Sequence, residues 1–260
     1  MERHILHVDQ NCFYASVEMQ RHPELRDKPL AICGSQEERH GIVLTANYIA
    51  KPYGVKTGMA IWQARQKCPN LVILPPDMEE YVRFSYMARE IYEDYTDQVE
   101  PFGLDGLFGS PMTIAKEISD RIRFELGITA SIGVAGNKIT AKLGSDYKKP
   151  DAITRIGADN YKELVYPLPV EDLLYVGPAT SKKLRAIGIN TIGRLAECPA
   201  DILVQRLGKM GAVLHAFANG RDTSPVQRSN HIPNIKSVGN SATTPRDLES
   251  DEDVKLMLYL

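Results

Sequence analysis

The 260-residue chain has few cysteines and no long apolar run. Its four cysteines, Cys12, Cys33, Cys68 and Cys198, form no CxxC pair, which favours reduced thiols over a disulfide framework or a zinc site. No apolar stretch reaches about 18 residues, the length needed to span a bilayer. The N-terminal sequence also lacks the apolar core of a signal peptide. We therefore expect no membrane contact and a cytoplasmic location.

The chain also lacks a strong excess of either charge, because its formal net charge is only -2. It is therefore not the uniformly basic protein that is most easily identified as a nucleic-acid binder. Locally, however, the segment from Val176 to Arg194 contains Lys182, Lys183 and Arg185 and no acidic residue. Such a run fits either a solvated helix face or a phosphate-binding surface.

Strand and helix patterns alternate over the first two thirds of the chain. Period-2 and period-3.6 spacings, with Gly and Pro as boundaries, predict the elements. We predict strands at 4–9, 28–34, 41–46 and 128–135, and helices at 11–22, 47–54, 57–69, 79–98, 111–126 and 138–149. After Pro167 and Pro169 the chain is predicted to be wholly helical up to about Asn219. The order of these elements predicts an α+β domain followed by a helical one.

The segment from Leu174 to Leu195, "LYVGPATSKKLRAIGINTIGRL", has the form of a helix-hairpin-helix. Its hairpin at Gly177 would direct backbone N–H groups at a phosphate, while Lys182, Lys183 and Arg185 neutralise neighbouring phosphates. A plain helical hairpin is the alternative. The segment "RLGKMG", residues 206–211, is a candidate for a second and weaker copy.

Two aspartates stand at positions where chemistry is expected. Asp9 ends the first predicted strand and precedes the aromatic pair Phe13 and Tyr14, although taken alone it would serve equally as a helix N-cap. Asp105 lies among glycines in "VEPFGLDGLFGS", without an acidic neighbour.

Four motifs in this order carry a family resemblance: "HVDQNCFYASVE", "TANYIAKPYGVKTGM", "SIGVAGNKITAKLGSDYKKPD" and the hairpin motif. They resemble the Y-family DNA polymerases, specifically the DinB or DNA polymerase IV branch, from about Ile5 to Asn240. The resemblance implies lesion bypass and template-directed addition of nucleotides to a primer.

The resemblance also implies a right-hand core: an α+β palm, small α/β fingers and an all-α helix-hairpin-helix thumb. The implied domains are a palm at 1–28 and 76–166, fingers at 29–75, a thumb at 167–231, and a linker with the start of a truncated little finger at 232–260. Primer–template DNA and a dNTP are the implied partners. Full-length relatives also bind a sliding clamp through a C-terminal peptide that we do not find here.

Site residues follow from the same resemblance. Asp9 and Asp105 resemble metal-binding aspartates for two Mg²⁺ ions, with the Gln10 carbonyl as a further ligand. Tyr14, beside Phe13, resembles the steric gate that rejects a ribose 2′-hydroxyl. The residues that resemble the triphosphate-binding positions are Thr45, Tyr48, Lys51 and Lys149. Many relatives have arginine in place of Lys51, so a bidentate phosphate contact becomes a point-charge contact here.

The sequence departs from the family after Asp105. Relatives place a glutamate next to this aspartate and continue into a β-strand, whereas Gly106 follows here and nine or ten residues are missing. The gap is consistent with residues that the molecule has but this sequence lacks, with a natural or deliberate deletion, or with replacement of the strand by residues Gly106 to Phe108. A true deletion predicts a weak or inactive enzyme because one metal ligand is lost.

Three functions remain open. The first is a lesion-bypass DNA polymerase or its core, and the second is a non-catalytic DNA-binding relative or inactive deletion variant. A metal-dependent nucleotidyl transferase that acts on free nucleotides is the third, and it leaves the thumb hairpin unexplained.

Overall fold

The computed structural model describes residues 3–34, 41–100, 103–105, 109–231, 237–239, 244 and 246–258, and at 103–105 it describes the backbone only. Gly106 to Phe108, the candidate substitute for the missing strand, lie outside these residues, as does much of the predicted linker. The chain forms two compact units, residues 1–11 with 84–231 and residues 12–83 with 232–260. The predicted domain boundaries remain a prediction.

The strands share a short length of three to six residues. In chain order they are β1 Ile5–Gln10, β2 Leu30–Cys33, β3 Val43–Ala46, β4 Val72–Leu74, β5 Gln98–Glu100, β6 Gly103–Asp105, β7 Ala130–Ala135 and β8 Ile153–Ile156.

The α-helices are α1 Phe13–Arg21, α2 Ile61–Lys67, α3 Met78–Glu93, α4 Pro111–Leu126, α5 Lys138–Tyr147, α6 Tyr161–Val165, α7 Pro178–Arg185, α8 Ile192–Glu197, α9 Ala200–Leu207, α10 Lys209–Ala218 and α11 Asp251–Leu258. No helix in the described ranges has the length and apolar character required to cross a bilayer.

The first unit is built on a five-stranded sheet with the order β5-β6-β1-β7-β8. The central strand, β1, pairs with β7 along its whole length, from Ile5 opposite Ala135 to Gln10 opposite Ala130. Helices α4 and α5 pack on this sheet through buried apolar side chains such as Ile118. The first unit therefore contains the α+β core that the sequence predicts.

The other edge of β1 is held differently. In the described residues β6 pairs with β1 at one position, Leu6 opposite Leu104. Strand β5 then pairs with β6 from Gln98 opposite Asp105 to Glu100 opposite Gly103. The short segment Gly103–Asp105 thus pairs with an edge of β1 that a deletion after Asp105 would otherwise leave unpaired. The physical reason is that an unpaired strand edge leaves backbone groups without partners.

The helices of the first unit that follow the sheet confirm the helical prediction up to residue 218. They share a core with members such as Val170, Leu184 and Leu203, all fully buried. The short first helix predicted from Leu174 is not formed: residues 173–175 are a bend and a turn, preceded by a single 3₁₀ turn at Val170–Asp172. Gly177 and Pro178 follow and leave too few residues for an α-helix, because the residue before a proline disfavours helical backbone.

The second unit has a three-stranded sheet with the order β3-β2-β4 and helix α2 packed on it. Its core includes the buried side chains of Val43, Ile61 and Ala64. The helix predicted after β3 is only a 3₁₀ turn at Lys51–Tyr53, because Pro52 and the left-handed Gly54 limit its length.

The helix predicted over 79–98 is present, but its predicted end is wrong. Tyr81, Phe84, Ala88 and Ile91, which spacings of three and four residues place on one face, are buried. Helix α3 ends at Glu93, however, because residues 98–100 form β5. Pairing with β6 overrides the local helical pattern.

We predict that Gly133→Ala destabilises the first unit. A Cβ at Gly133 would lie 1.8 Å from the Ala141 carbonyl oxygen of α5, so the helix would have to move. Overpacking of this kind costs about 1–3 kcal/mol. Chemical denaturation should show this loss for Gly133→Ala but not for the control Gly136→Ala, whose Cβ would lie 3.6 Å from its nearest neighbour. Equal stability of the two variants would contradict the packing.

Candidate active site

Asp9 lies near the end of β1, as the strand pattern predicts, and two lysines hold its carboxylate. Lys149 Nζ donates to Asp9 Oδ2, and Lys142 Nζ donates to the same oxygen at 3.2 Å. Both lysines also reach Asp146, Lys149 at 2.5 Å and Lys142 at 2.8 Å. Helix α5 carries Lys142 and Asp146 one turn apart. Two positive and two negative groups therefore form a compact, charge-balanced cluster, which we call the lysine–aspartate cluster.

The cluster shifts the ionisation of its members. Burial alone would raise the pKa of Asp9, but the hydrogen bonds and charges of Lys149 and Lys142 outweigh it, so the pKa is lowered. Burial likewise opposes the charge of Lys149, yet Asp146 and Asp9 raise its pKa overall. Asp9 is thus an ionised carboxylate at neutral pH, as a metal ligand or phosphate-site partner requires.

The neighbours of Asp9 on β1 differ in role. The Gln10 side-chain amide donates to the Tyr92 hydroxyl at 3.2 Å. The backbone carbonyl of Gln10 is therefore its candidate atom for a metal contact. Burial, followed by the charge of Lys142, lowers the pKa of His7 to about 4. His7 is therefore neutral at pH 7 and adds no charge to the cluster.

The register of β6 separates Asp105 from Asp9. With Leu104 opposite Leu6 in an antiparallel pair, Asp105 stands opposite Ile5, four residues along β1 from Asp9. Four residues correspond to about 13 Å along a strand. Two ligands of one Mg²⁺ ion must each bring an oxygen within about 2.1 Å of it. The backbone positions of the two short carboxylates do not permit that in this register.

The donor set therefore does not fit two Mg²⁺ ions in this arrangement. In the part of the chain that the structure describes, no group of three or more His, Cys, Asp and Glu side chains could hold a metal. Glu100 is nearby in sequence but forms an ion pair with Lys138 and accepts from the Gln227 backbone N–H at 2.8 Å. Glu100 is thus committed to a structural role.

In the second unit, the predicted steric gate rests on a buried aromatic residue. The Tyr14 ring stacks on Tyr81 at a centroid distance of 4.2 Å and an interplanar angle of 12°. The centroid of the Phe13 ring lies 5.8 Å from that of Tyr14 and 6.3 Å from that of Tyr81. The Tyr81 hydroxyl donates to the buried Glu18 carboxylate at 2.8 Å. Burial, together with this acidic neighbour, raises the pKa of Tyr81. Tyr14 therefore has a rigid support.

The predicted triphosphate residues of the second unit follow one another after β3. Thr45 is on β3, and Lys51 Nζ lies 3.9 Å from the centroid of the Tyr48 ring. The buried Asn47 holds this turn, because its side chain accepts from the Leu30 and Ala50 backbone N–H groups. The local geometry is thus well determined by one side-chain amide.

The hairpin of α7 divides the four predicted DNA contacts. Gly177 precedes Pro178 at the helix start, and Lys182 and Lys183 are exposed. Arg185, in contrast, donates to both Glu171 oxygens at 2.5 and 2.9 Å. The Ser181 hydroxyl also donates to Glu171 at 2.5 Å, and the two partners lower the pKa of Glu171 to about 2. Arg185 is thus already neutralised within the chain.

Several residues of these sites were not predicted from the sequence. Lys142, Asp146, Glu18, Tyr81, Asn47 and Glu171 are the ones we did not anticipate as site residues. Each acts through a partner that is distant in sequence or on another turn of the chain. Only Asp146 and Lys142 could have been found, from the spacing of four residues that places them on one helix face.

Comparisons with known proteins identify close relatives. The model of the impB/mucB/samB family matches residues 8–146. The DNA polymerase IV of Acetivibrio thermocellus is 55% identical over 270 residues, covering 100% of this chain and 68% of that protein. The structure of DinB from Sulfolobus solfataricus has a TM-score of 0.77 at 27% identity, covering 86% of this chain and 69% of that one. The insertion ternary complex of Dbh DNA polymerase has a TM-score of 0.77 at 28% sequence identity, and the match covers 86% of this chain and 69% of that one.

Two facts follow about length. The chain spans 63% to 72% of the length of the most similar curated relatives. The alignment with the Acetivibrio thermocellus protein has 270 positions, whereas the chain has 260 residues, so at least ten positions of that protein have no counterpart here. This number agrees with the nine or ten residues that the sequence pattern indicates as missing.

We predict that Tyr81→Phe destabilises the second unit. The change removes the hydroxyl donor to Glu18, whose side chain is only 4% exposed. A buried acceptor that loses its donor costs about 1–3 kcal/mol. Chemical denaturation should show this loss, whereas Tyr86→Phe, which alters a 66% exposed tyrosine of the same helix, should have no effect. A Tyr81→Phe variant as stable as the Tyr86→Phe control would show that the hydrogen bond contributes little.

Proposed function

The chain belongs to the impB/mucB/samB family, as a DinB-type member of the Y-family DNA polymerases, and from this membership we propose that it is a polymerase core that binds primer–template DNA and dNTPs. The relatives named DNA polymerase IV and the ternary complex of Dbh DNA polymerase support this proposal. Lesion bypass is the expected role in the cell.

The residues of this chain would then act on the nucleotide and the DNA. Lys149, which lies next to Asp9, is the palm lysine that we propose to contact the triphosphate. Tyr14, supported by Tyr81, would lie beneath the sugar and exclude a 2′-hydroxyl. Lys51, near Tyr48, would add a point-charge contact to the phosphates.

Divalent metal ions supply the remaining charge in this family's reaction, because they stabilise the attacking and leaving oxygens of the phosphoryl transfer. Asp9 and the Gln10 carbonyl are the proposed ligands in this chain, and Asp105 is the residue that the family resemblance gives as the second carboxylate. With Asp105 opposite Ile5, however, the ligand set is incomplete.

The register of β6 is the observation that supports the catalytic part of the proposal. We infer that the chain binds DNA but extends a primer much more slowly than relatives that have the complete hairpin. A non-catalytic DNA-binding role is the second candidate, and the same separation of Asp9 from Asp105 favours it. A transferase acting on free nucleotides leaves the helices after residue 160 without a role.

We expect primer extension to increase when the missing segment is restored. The variant carries, after Asp105, the roughly ten residues that follow the aligned aspartate in the Acetivibrio thermocellus relative. Restoring a strand and a carboxylate at the site should raise the single-turnover extension rate by roughly 10²–10³-fold. The measurement is extension of a labelled primer with Mg²⁺ and dNTPs, with DNA affinity measured in parallel.

Substitutions separate the possible outcomes. Asp105→Asn should leave extension by the unmodified chain unchanged within about twofold, and should abolish the gain in the restored variant. Asp9→Asn should remove extension in both backgrounds. The proposal is wrong about the register if the unmodified chain already extends as fast as the restored variant, or if Asp105→Asn abolishes its activity.

The hairpin of α7 leads to a separate prediction about DNA affinity. Each phosphate neutralised on duplex DNA contributes about 0.9 to the slope of log affinity against log salt concentration. Lys182→Ala should reduce this slope by about 0.9, the value for one phosphate contact. Arg185→Ala should not change the slope, because Arg185 is paired with Glu171. Glu171→Gln releases Arg185 and should increase the slope. A reduced slope for Arg185→Ala would instead make Arg185 a DNA contact.

A further inference from the structure

Helix α2 of the second unit presents a large aromatic side chain to solvent. Trp62 is 61% exposed, and it is the single tryptophan of the chain. Tryptophan is usually well buried because of its large apolar surface. The buried positions of α2 are taken by Ile61 and Ala64, so the core of this unit does not need Trp62.

The surroundings of Trp62 are polar and basic. Arg65 and Gln66 lie three and four residues further along the helix and thus on the same face. Together with Ile61 they line a shallow depression of about 380 Å³. The helix has no acidic residue, and its last turn contains Arg65 and Lys67. An exposed indole with a guanidinium group on the same helix face is complementary to a flat, negatively charged ligand.

We propose that Trp62 and Arg65 form a platform for an unpaired base of single-stranded DNA. The indole would stack on the base, and Arg65 would neutralise an adjoining phosphate. Stacking accepts any base, since every base has a π-face, and a template strand is read without regard to its sequence. The identification of the strand as unpaired template rests on the proposed polymerase function.

The surface favours a nucleic acid over a protein partner. A protein hot spot is an anchor surrounded by groups that exclude water from it. The exposed polar side chains of Gln63 and Gln66 lie next to Trp62 instead, and they would remain hydrated beside a phosphate chain. We therefore propose single-stranded DNA as the ligand of this surface. The test below also detects binding of a second copy of the chain.

The single tryptophan makes the test possible on the unmodified chain. Titration with an unlabelled oligonucleotide of about 16 thymidines should quench tryptophan fluorescence until binding is saturated. All of this fluorescence comes from Trp62, because the chain has one tryptophan. Trp62→Ala should weaken binding of a labelled copy of the oligonucleotide, followed by fluorescence anisotropy, by about fivefold or more. Trp62→Phe should retain most of the affinity. Arg65→Ala should lower the salt slope by about 0.7, the value for one phosphate of a single strand.

Phe124→Ala is the matched control. Phe124 is 80% exposed on α4, and its neighbours Arg121 and Arg123 are already paired with carboxylates. Its substitution should leave single-strand affinity unchanged. The proposal is overturned if emission stays constant while anisotropy saturates, or if Trp62→Ala binds as tightly as Phe124→Ala.

Two further outcomes are distinguishable. A change of emission with protein concentration in the absence of DNA would assign the face to a second copy and overturn the proposal. The titration needs neither metal, nucleotide nor extension, so a chain that fails to extend primers can still confirm the platform. Trp62→Ala could also leave the affinities for duplex and single-stranded DNA both unchanged. That result would refute the platform and leave the proposed function intact.

Discussion

The pairing of β1 with β6 sets the position of Asp105 relative to Asp9. One edge is hydrogen-bonded to β7 along six residues, and the other edge needs a partner because buried backbone groups cannot remain unpaired. With few residues available before α4, the segment Gly103–Asp105 takes that position and sets Leu104 opposite Leu6. The same pairing that completes the sheet therefore moves Asp105 away from Asp9. The register of β6 therefore affects both the completion of the sheet and the distance between Asp105 and Asp9.

In the first unit, Asp9 is held by the lysine–aspartate cluster in spite of its separation from Asp105. Lys142 and Lys149 contact its carboxylate and lower its pKa. In the second unit, Tyr81 supports Tyr14 and Asn47 holds the turn that carries Tyr48 and Lys51. The side chains that we propose for nucleotide contact are thus each supported within their own unit, whereas the proposed metal ligands Asp9 and Asp105 lie apart.

Much of the fold follows from sequence patterns, and the limits have physical causes. The buried stripe of α3 and the position of Asp9 were predictable because their periodicity is strong. The end of α3 and the register of β6 were not, because strands of three residues carry no alternation and are decided by their partners. Glu18 and Tyr81 meet across 63 residues, a separation that no local pattern records. Family motifs located the site, whereas its internal geometry required the structure.

The strand register can be measured directly by cross-strand nuclear Overhauser effects in isotopically labelled protein. Adjacent antiparallel strands bring paired residues to Cα separations of about 4.5–5.5 Å, which is within range of the method. Our account predicts backbone contacts between Leu6 and Leu104, and between Gln98 and Asp105. Backbone contacts from Asp105 to Asp9 or Gln10 would contradict it and would restore a paired carboxylate site.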